Sequence, residues 1–120
     1  ADLVEYTVRL HNYFVNEPSA ERVAMWAWLH DAATLGSFSE GRVEGYRHKL
    51  AVIAEAQQRG VVDSSWKPEE LLALLLAVAS NWERAPAELR SIGCAEYAHS
   101  EEARCASVRQ AAQRLVQPRD

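Results

Sequence analysis

The pattern of apolar and polar positions predicts helices along most of the chain, and one of these helices has no polar side. Between Glu70 and Glu83 lie twelve residues without a charge. At about 100° per residue, the large apolar side chains of this segment form one continuous arc, and the remaining positions are mostly small. A surface helix needs a charged face, so we expect the helix over residues 66–82 to be covered on nearly every side. In so short a chain, part of that cover is expected from a second copy.

Two helices are predicted before residue 40. Residues 2–16 place their apolar positions on one broad face, which also carries Thr7 and His11. Pro18 closes this helix and opens an aromatic-rich second helix that extends to about residue 33. On that second helix, His30 lies inside the apolar arc beside Trp26. Two roles are open for His30. It could supply a polar contact to a bound ligand, or it could be a core histidine bonded to a backbone carbonyl or a tyrosine hydroxyl.

The remaining helices are marked by their ends. Ser37 and Glu40 have capping-box spacing for a third helix, which extends to Arg59 and is followed by Gly60 as a C-terminal cap. A short helical turn is predicted at residues 87–91. The last helix, over residues 100–116, has a narrow seam of apolar positions at alternating three- and four-residue spacing. Together these segments predict an all-α bundle of five to six helices.

Composition and charge exclude several classes of protein. The 120 residues suffice for one domain, and a net charge of −4 gives no electrostatic reason to bind nucleic acid or an anionic membrane. Two cysteines make no disulfide scaffold, and no signal peptide or transmembrane segment is evident, so a cytoplasmic location is expected. The four histidines have no metal-ligand spacing, and no paired acid and base are evident. We therefore predict no metal site, no cofactor, no catalytic residue and no enzymatic activity.

The run QQRGVVDSSWKPEELLALLLAVASNW resembles the ligand-binding and dimerisation domain of bacterial TetR-family transcriptional regulators. The opening EYTVRLHNYFVNEPSAERVAMWAWLH and the tail RCASVRQAAQRLVQP are also similar to the corresponding parts of that family. The resemblance covers nearly the whole chain. The helix-turn-helix that precedes this region in the family is missing from residues 1–120, and Lys67 stands where Ser or Asp is the commoner cap.

The resemblance implies that residues 1–120 are one effector-binding and dimerisation domain. The whole protein is then expected to be a repressor that a bound ligand releases from its DNA. It implies a homodimer whose interface is a four-helix bundle of the last two long helices from each copy. Operator DNA would be bound only through the missing N-terminal domain. The interface residues expected are Leu72, Ala73, Leu76, Ala77, Ser80, Cys105, Val108, Ala112 and Leu115.

The first three helices would enclose a pocket for a small, largely apolar effector. A mainly apolar wall with a few polar groups is the usual composition of such a site. The ligand-binding residues expected are Thr7, Leu10, His11, Phe14, Trp26, His30, Tyr46 and Leu50. The alternative to this function is a stand-alone helical module that binds a partner protein through exposed leucines.

Overall fold

Five helices make up the part of the protein that the computed structural model describes, which comprises residues 3–16, 40–82, 84–93 and 101–119. No strand occurs in these ranges, so the predicted all-α class is confirmed. The helix predicted over residues 18–33 lies outside the described residues. The five helices are α1 (Leu3–Asn16), α2 (Glu40–Gln58), α3 (Pro68–Ala79), α4 (Ala87–Gly93) and α5 (Glu101–Val116).

The uncharged helix α3 occupies the centre of the arrangement. It contacts α1, α2 and α5, and α1 also contacts α5. Leu71 and Leu75 have no exposed surface, which is the expected result of burying the most apolar helix among three neighbours. The buried core cluster comprises Ile53, Ala56, Val62, Leu71, Leu72, Leu75, Ala112 and Val116.

The end of α2 has the predicted glycine cap. Gly60 adopts a φ of 78°, a left-handed conformation that glycine accepts without a steric penalty. The amide of Val61 donates to the Ala56 carbonyl at 3.1 Å, and that of Gly60 donates to the Gln57 carbonyl at 3.1 Å. These two bonds define a Schellman motif, which satisfies carbonyls left over at a helix end. The next residue, Val62, is buried in the core, whereas Val61 remains 59% exposed.

The loop between α2 and α3 is tied to both neighbours. The Gln57 side chain donates from Nε2 to the carbonyls of Asp63 and Trp66, at 3.1 and 2.8 Å. The Asp63 amide donates to the Val116 carbonyl at 2.9 Å, and the Trp66 indole donates to the Leu115 carbonyl at 3.0 Å. The start of α3 is therefore held against the end of α5.

The start of α3 agrees with the sequence pattern, but its end does not. Pro68 occupies the first turn after an extended Lys67, whose side chain makes no cap hydrogen bond. The helix ends at Ala79, three residues before the predicted Trp82. Ser80 Oγ donates to the Leu76 carbonyl at 3.2 Å, and Asn81 Nδ2 donates to the Val78 carbonyl at 2.6 Å. Short polar side chains of this kind satisfy terminal carbonyls and compete with helix continuation.

A bilayer-spanning segment needs a long stretch of apolar helix. None of the helices in the described ranges has both the length and the apolar content for this.

Candidate functional site

Two polar residues of α1 that were predicted to contact a ligand are bonded inside the fold. Thr7 is 0% exposed, and its hydroxyl donates to the Leu3 carbonyl at 2.8 Å. His11 is 2% exposed, and its Nδ1 lies 3.1 Å from the carbonyl oxygen of Ala79 at the end of α3. Because a carbonyl only accepts, Nδ1 carries the proton and donates it. His11 therefore joins α1 to α3, and one of its two nitrogens is already used.

The other predicted ligand-binding residues differ in how far they are exposed to solvent. Leu10, Phe14 and Leu50 are half-buried, and Leu50 packs against the core cluster. Tyr46 on α2 is 42% exposed. Trp26 and His30 lie outside the described residues, so their ligand-binding role stays a prediction.

A small cavity of about 170 Å³ lies between α1 and α2, and it involves residues that the sequence analysis did not select. We call it the basic cleft. Its α1 side comes from three positions at three-residue spacing, a spacing that keeps side chains on one side of a helix. That spacing was the signal that the sequence offered for this side of the cleft. The lining residues are Leu3, Tyr6, Arg9, His48, Lys49, Val52 and Leu72.

Lys49 connects the two helices across this cleft. Its Nζ lies 5.4 Å from the ring centroid of Tyr6 on α1 and 5.9 Å from that of Tyr46 on α2. Both distances are within the range in which a cation is attracted to the face of an aromatic ring. Burial, and secondarily the proximity of Tyr46, raises the pKa of the Tyr6 phenol, which therefore remains a neutral hydrogen-bond donor at neutral pH.

A second, larger cavity of about 890 Å³ lies where α1 begins and where α2 and α5 end. We call it the terminal cleft. It shares Leu3 and Val52 with the basic cleft, so the two cavities adjoin. Glu55 and Arg59 give it one carboxylate and one guanidinium. It is lined by Leu3, Val4, Val52, Glu55, Ala56, Arg59, Val61, Val62, Gln113, Val116 and Gln117.

Four residues predicted at a dimer interface are instead buried within the chain. Leu72, Ser80, Val108 and Ala112 are 4%, 3%, 2% and 0% exposed. A side chain without accessible surface in one copy has almost none to bury against a second. In this single chain the four residues lie in the core, where α3 contacts α1, α2 and α5, and their place in a dimer interface stays a prediction.

The opposite side of α3 is open. Ala73, Leu74 and Ala77 are exposed, with Leu74 38% exposed, and we call them the outer α3 stripe. Ala73, Leu74 and Ala77 lie within an arc of about 100° around the helix axis, so they share one face. Ala73 and Ala77 were among the predicted interface residues, whereas Leu74 was missed. The other three predicted residues, Leu76, Cys105 and Leu115, are half-buried.

The outward side of α5 is also composed of small and polar residues. Ala106, Ser107 and Gln110 are exposed. The guanidinium of Arg104, at the start of this helix, lies 4.9 Å from the ring centroid of Trp82, which follows α3. This contact joins the C-terminal end of α3 to the start of α5.

Comparison with known proteins places this helical arrangement in a family. The family model described as the tetracyclin repressor-like C-terminal domain matches residues 2–114. The HTH-type transcriptional repressor SCO4008 of Streptomyces coelicolor is 30% identical over 81 residues, which are 68% of this chain and 42% of that protein.

A solved structure supports the same assignment. The crystal structure named as that of a transcriptional regulator, SCO4942 from Streptomyces coelicolor, superimposes with a TM-score of 0.78 at 25% identity. The match covers 96% of this chain and 60% of that one, so the chain spans less than two thirds of either relative. Since the family model matches nearly the whole chain, this protein belongs to the tetracyclin repressor-like (TetR) C-terminal domain family.

Proposed function

We propose that residues 1–120 are the effector-binding and dimerisation domain of a TetR-type transcriptional repressor that acts in the bacterial cytoplasm. Family membership supports the regulatory role, and the name of the relative SCO4008 supports repression. The observation that carries the dimer is the outer α3 stripe, an exposed and uncharged surface on the central helix whose opposite side buries Leu71, Leu72, Leu75 and Ala79.

The chemistry of the stripe suits a second helix. Ala73 and Ala77 are four residues apart, and small side chains at this spacing let two helices approach closely. Leu74 beside them supplies apolar area that is stabilising once removed from water. On α5, Ala106 and Ser107 are likewise small and exposed. A four-helix interface would therefore use these outer faces.

The fold also provides a route from a ligand to that interface. The basic cleft is built on α1 and α2, and α1 is joined to α3 by His11 and to α5 by the ion pair of Glu5 with Arg109. A ligand that moves α1 would thus act on both proposed interface helices. It changes the equilibrium only if it binds the DNA-released form more tightly than the DNA-bound form.

Operator binding is assigned to a separate helix-turn-helix segment. With a net charge of −4, residues 1–120 lack the excess of cationic side chains that phosphate contacts require. We expect the 120-residue chain alone to give no fluorescence-anisotropy change with duplex DNA at physiological salt.

Sedimentation velocity tests the proposal. The unmodified chain should sediment as a dimer at micromolar concentration, and Leu74→Arg should produce a monomer of unchanged helicity. Asn12→Arg, on an exposed position of α1, adds the same charge away from the stripe and should leave the dimer intact. A wild-type chain that is folded but monomeric would contradict the proposal and favour a helical protein-interaction module.

A further inference from the structure

We propose that the two adjoining clefts bind an amphipathic organic anion, with its charged head at Arg9, His48 and Lys49. Its apolar body would follow Leu3 and Val52 from the basic cleft into the terminal cleft. This inference rests on the proposed effector-binding role, and it adds the chemical class of the effector.

The charge of the basic cleft is the first argument. Arg9 and Lys49 are cationic, and among the described residues that line the cleft none carries a carboxylate. The acidic residues one turn away are paired elsewhere: Glu5 with Arg109, and Glu44 with Arg47 at 2.7 Å. In the described ranges, no carboxylate forms an ion pair with Arg9, His48 or Lys49. Within the described part of a chain of net charge −4, this concave site therefore gathers positive charge that no described carboxylate pairs with.

The hydrogen-bonding groups point to the same ligand. The Arg9 guanidinium and the Lys49 ammonium donate and do not accept, and the neutral Tyr6 hydroxyl can donate as well. A carboxylate only accepts, and its charge-assisted bonds to such donors are stronger than those of a neutral carbonyl. A neutral carbonyl head would form weaker bonds with these donors, and a protonated amine would accept none of them.

The apolar surface sets the shape of the ligand. A volume of about 170 Å³ suits a head group with a few carbons, since small-molecule sites typically measure about 300–1,000 Å³. The shared residues Leu3 and Val52 continue into the terminal cleft of about 890 Å³. There Glu55 balances Arg59, so that cleft has no excess of positive charge. The head is consequently favoured at the basic end, and the tail is favoured along the valines of the terminal cleft.

Calorimetric titration of the 120-residue chain with three ligands of equal length tests this class. Octanoate, octanamide and octylamine share an eight-carbon chain and carry an anionic, a neutral and a cationic head, and each is used below its aggregation concentration. Octanoate should bind about tenfold more tightly than octanamide, as expected for hydrogen bonds to a charged group. Octylamine should bind most weakly. Shortening octanoate to hexanoate should weaken binding, by up to about fourfold per methylene removed.

Variants locate the head and the tail. Arg9→Gln and Lys49→Gln should each weaken octanoate binding about fivefold, because each removes one charge-assisted contact at a partly exposed site. Both variants should leave octanamide binding unaffected. Arg114→Gln removes the same charge from an exposed position on α5 and should have no effect. Val61→Ser, which alters only the terminal cleft, should reduce the affinity gained per methylene.

The outcomes separate this inference from the proposed function. If octanamide binds as tightly as octanoate, the anionic class is overturned, whereas effector binding stands. If Arg114→Gln weakens octanoate as much as Arg9→Gln does, non-specific attraction explains the binding and the site is overturned. No detectable octanoate binding also overturns it. The oligomeric state, measured separately, decides the proposed dimer whichever of these results is found.

Discussion

The imidazole of His11 donates from Nδ1 to the carbonyl oxygen of Ala79 at 3.1 Å, across 68 positions of the chain. Both residues are buried, with 2% and 0% exposure. The bond satisfies a carbonyl in the last turn of α3, where helical carbonyls commonly lack an intrahelical partner. It thereby fixes the end of the central helix against α1.

This relationship predicts that His11→Phe is destabilising although it keeps an aromatic ring. The Ala79 carbonyl would lose its donor while staying buried, at a cost of about 1–3 kcal/mol in the free energy of unfolding. Urea denaturation monitored by circular dichroism would measure it. Asn12→Ala, at the exposed neighbouring position, is the control and should change stability by less than about 0.5 kcal/mol. Equal stabilities of His11→Phe and wild type would contradict the structural role.

The two described tryptophans should respond differently to replacement by phenylalanine. Trp66→Phe removes the indole N–H that donates to the Leu115 carbonyl at 3.0 Å, and should cost about 1 kcal/mol. Trp82→Phe keeps a ring beneath the Arg104 guanidinium and weakens only the cation–π contact, so a smaller cost, under about 1 kcal/mol, is expected. Thermal denaturation of both variants would rank them, and the reverse order would refute this assignment.

Two leucines on opposite sides of α3 form a matched pair. Leu72→Ala creates a cavity in the core and should lower the free energy of unfolding by about 2–5 kcal/mol. Leu74→Ala removes the same atoms from a 38% exposed position, and should mainly weaken association of two copies. Denaturation at several protein concentrations separates the effects, because the midpoint of a dimer depends on protein concentration and a loss of association reduces that dependence. Identical behaviour of the two variants would contradict the assigned faces.

Stability should depend on pH through Asp63. The backbone N–H of Ser65 donates to Asp63 Oδ1 at 2.9 Å. This bond and the bond from the Ser65 hydroxyl lower the pKa of the Asp63 carboxyl below its ordinary value, and the charge of Arg119 lowers this pKa further. A lowered pKa in the folded state means that ionised Asp63 stabilises the fold at neutral pH. That contribution is lost as the pH falls below about 4 and through the folded-state pKa.

Comparison of wild type with Asp63→Asn tests this dependence. Wild type should be the more stable protein at pH 7, and the difference in the free energy of unfolding should shrink as the pH is lowered from 5 toward 2. Ser64→Ala, at the exposed neighbour, should show the same pH profile as wild type. A difference that stays constant over this range would rule out the ionised carboxyl as its source.

Local features of the sequence determined the order of the helices and several of their ends. Pro68 begins α3 because its fixed φ suits the first turn, and Gly60 ends α2 because it accepts a φ of 78°. Each of these depends on the backbone preferences of one residue and its near neighbours. The uncharged run of α3 likewise indicated a central helix, which its three neighbours confirm.

Only the tertiary structure decided which side of α3 faces outward. Leu72 and Leu74 are the same residue type two positions apart, so a helix apolar on all sides gives no periodic signal to separate them. The packing of α1 and α5 buries Leu72, Val108 and Ala112 and leaves Leu74 exposed. His11 could be placed on an apolar face from the sequence, but its partner Ala79 is far along the chain. The basic cleft was missed for the same reason, since Arg9 on α1 and Lys49 on α2 line one cavity only in the folded chain.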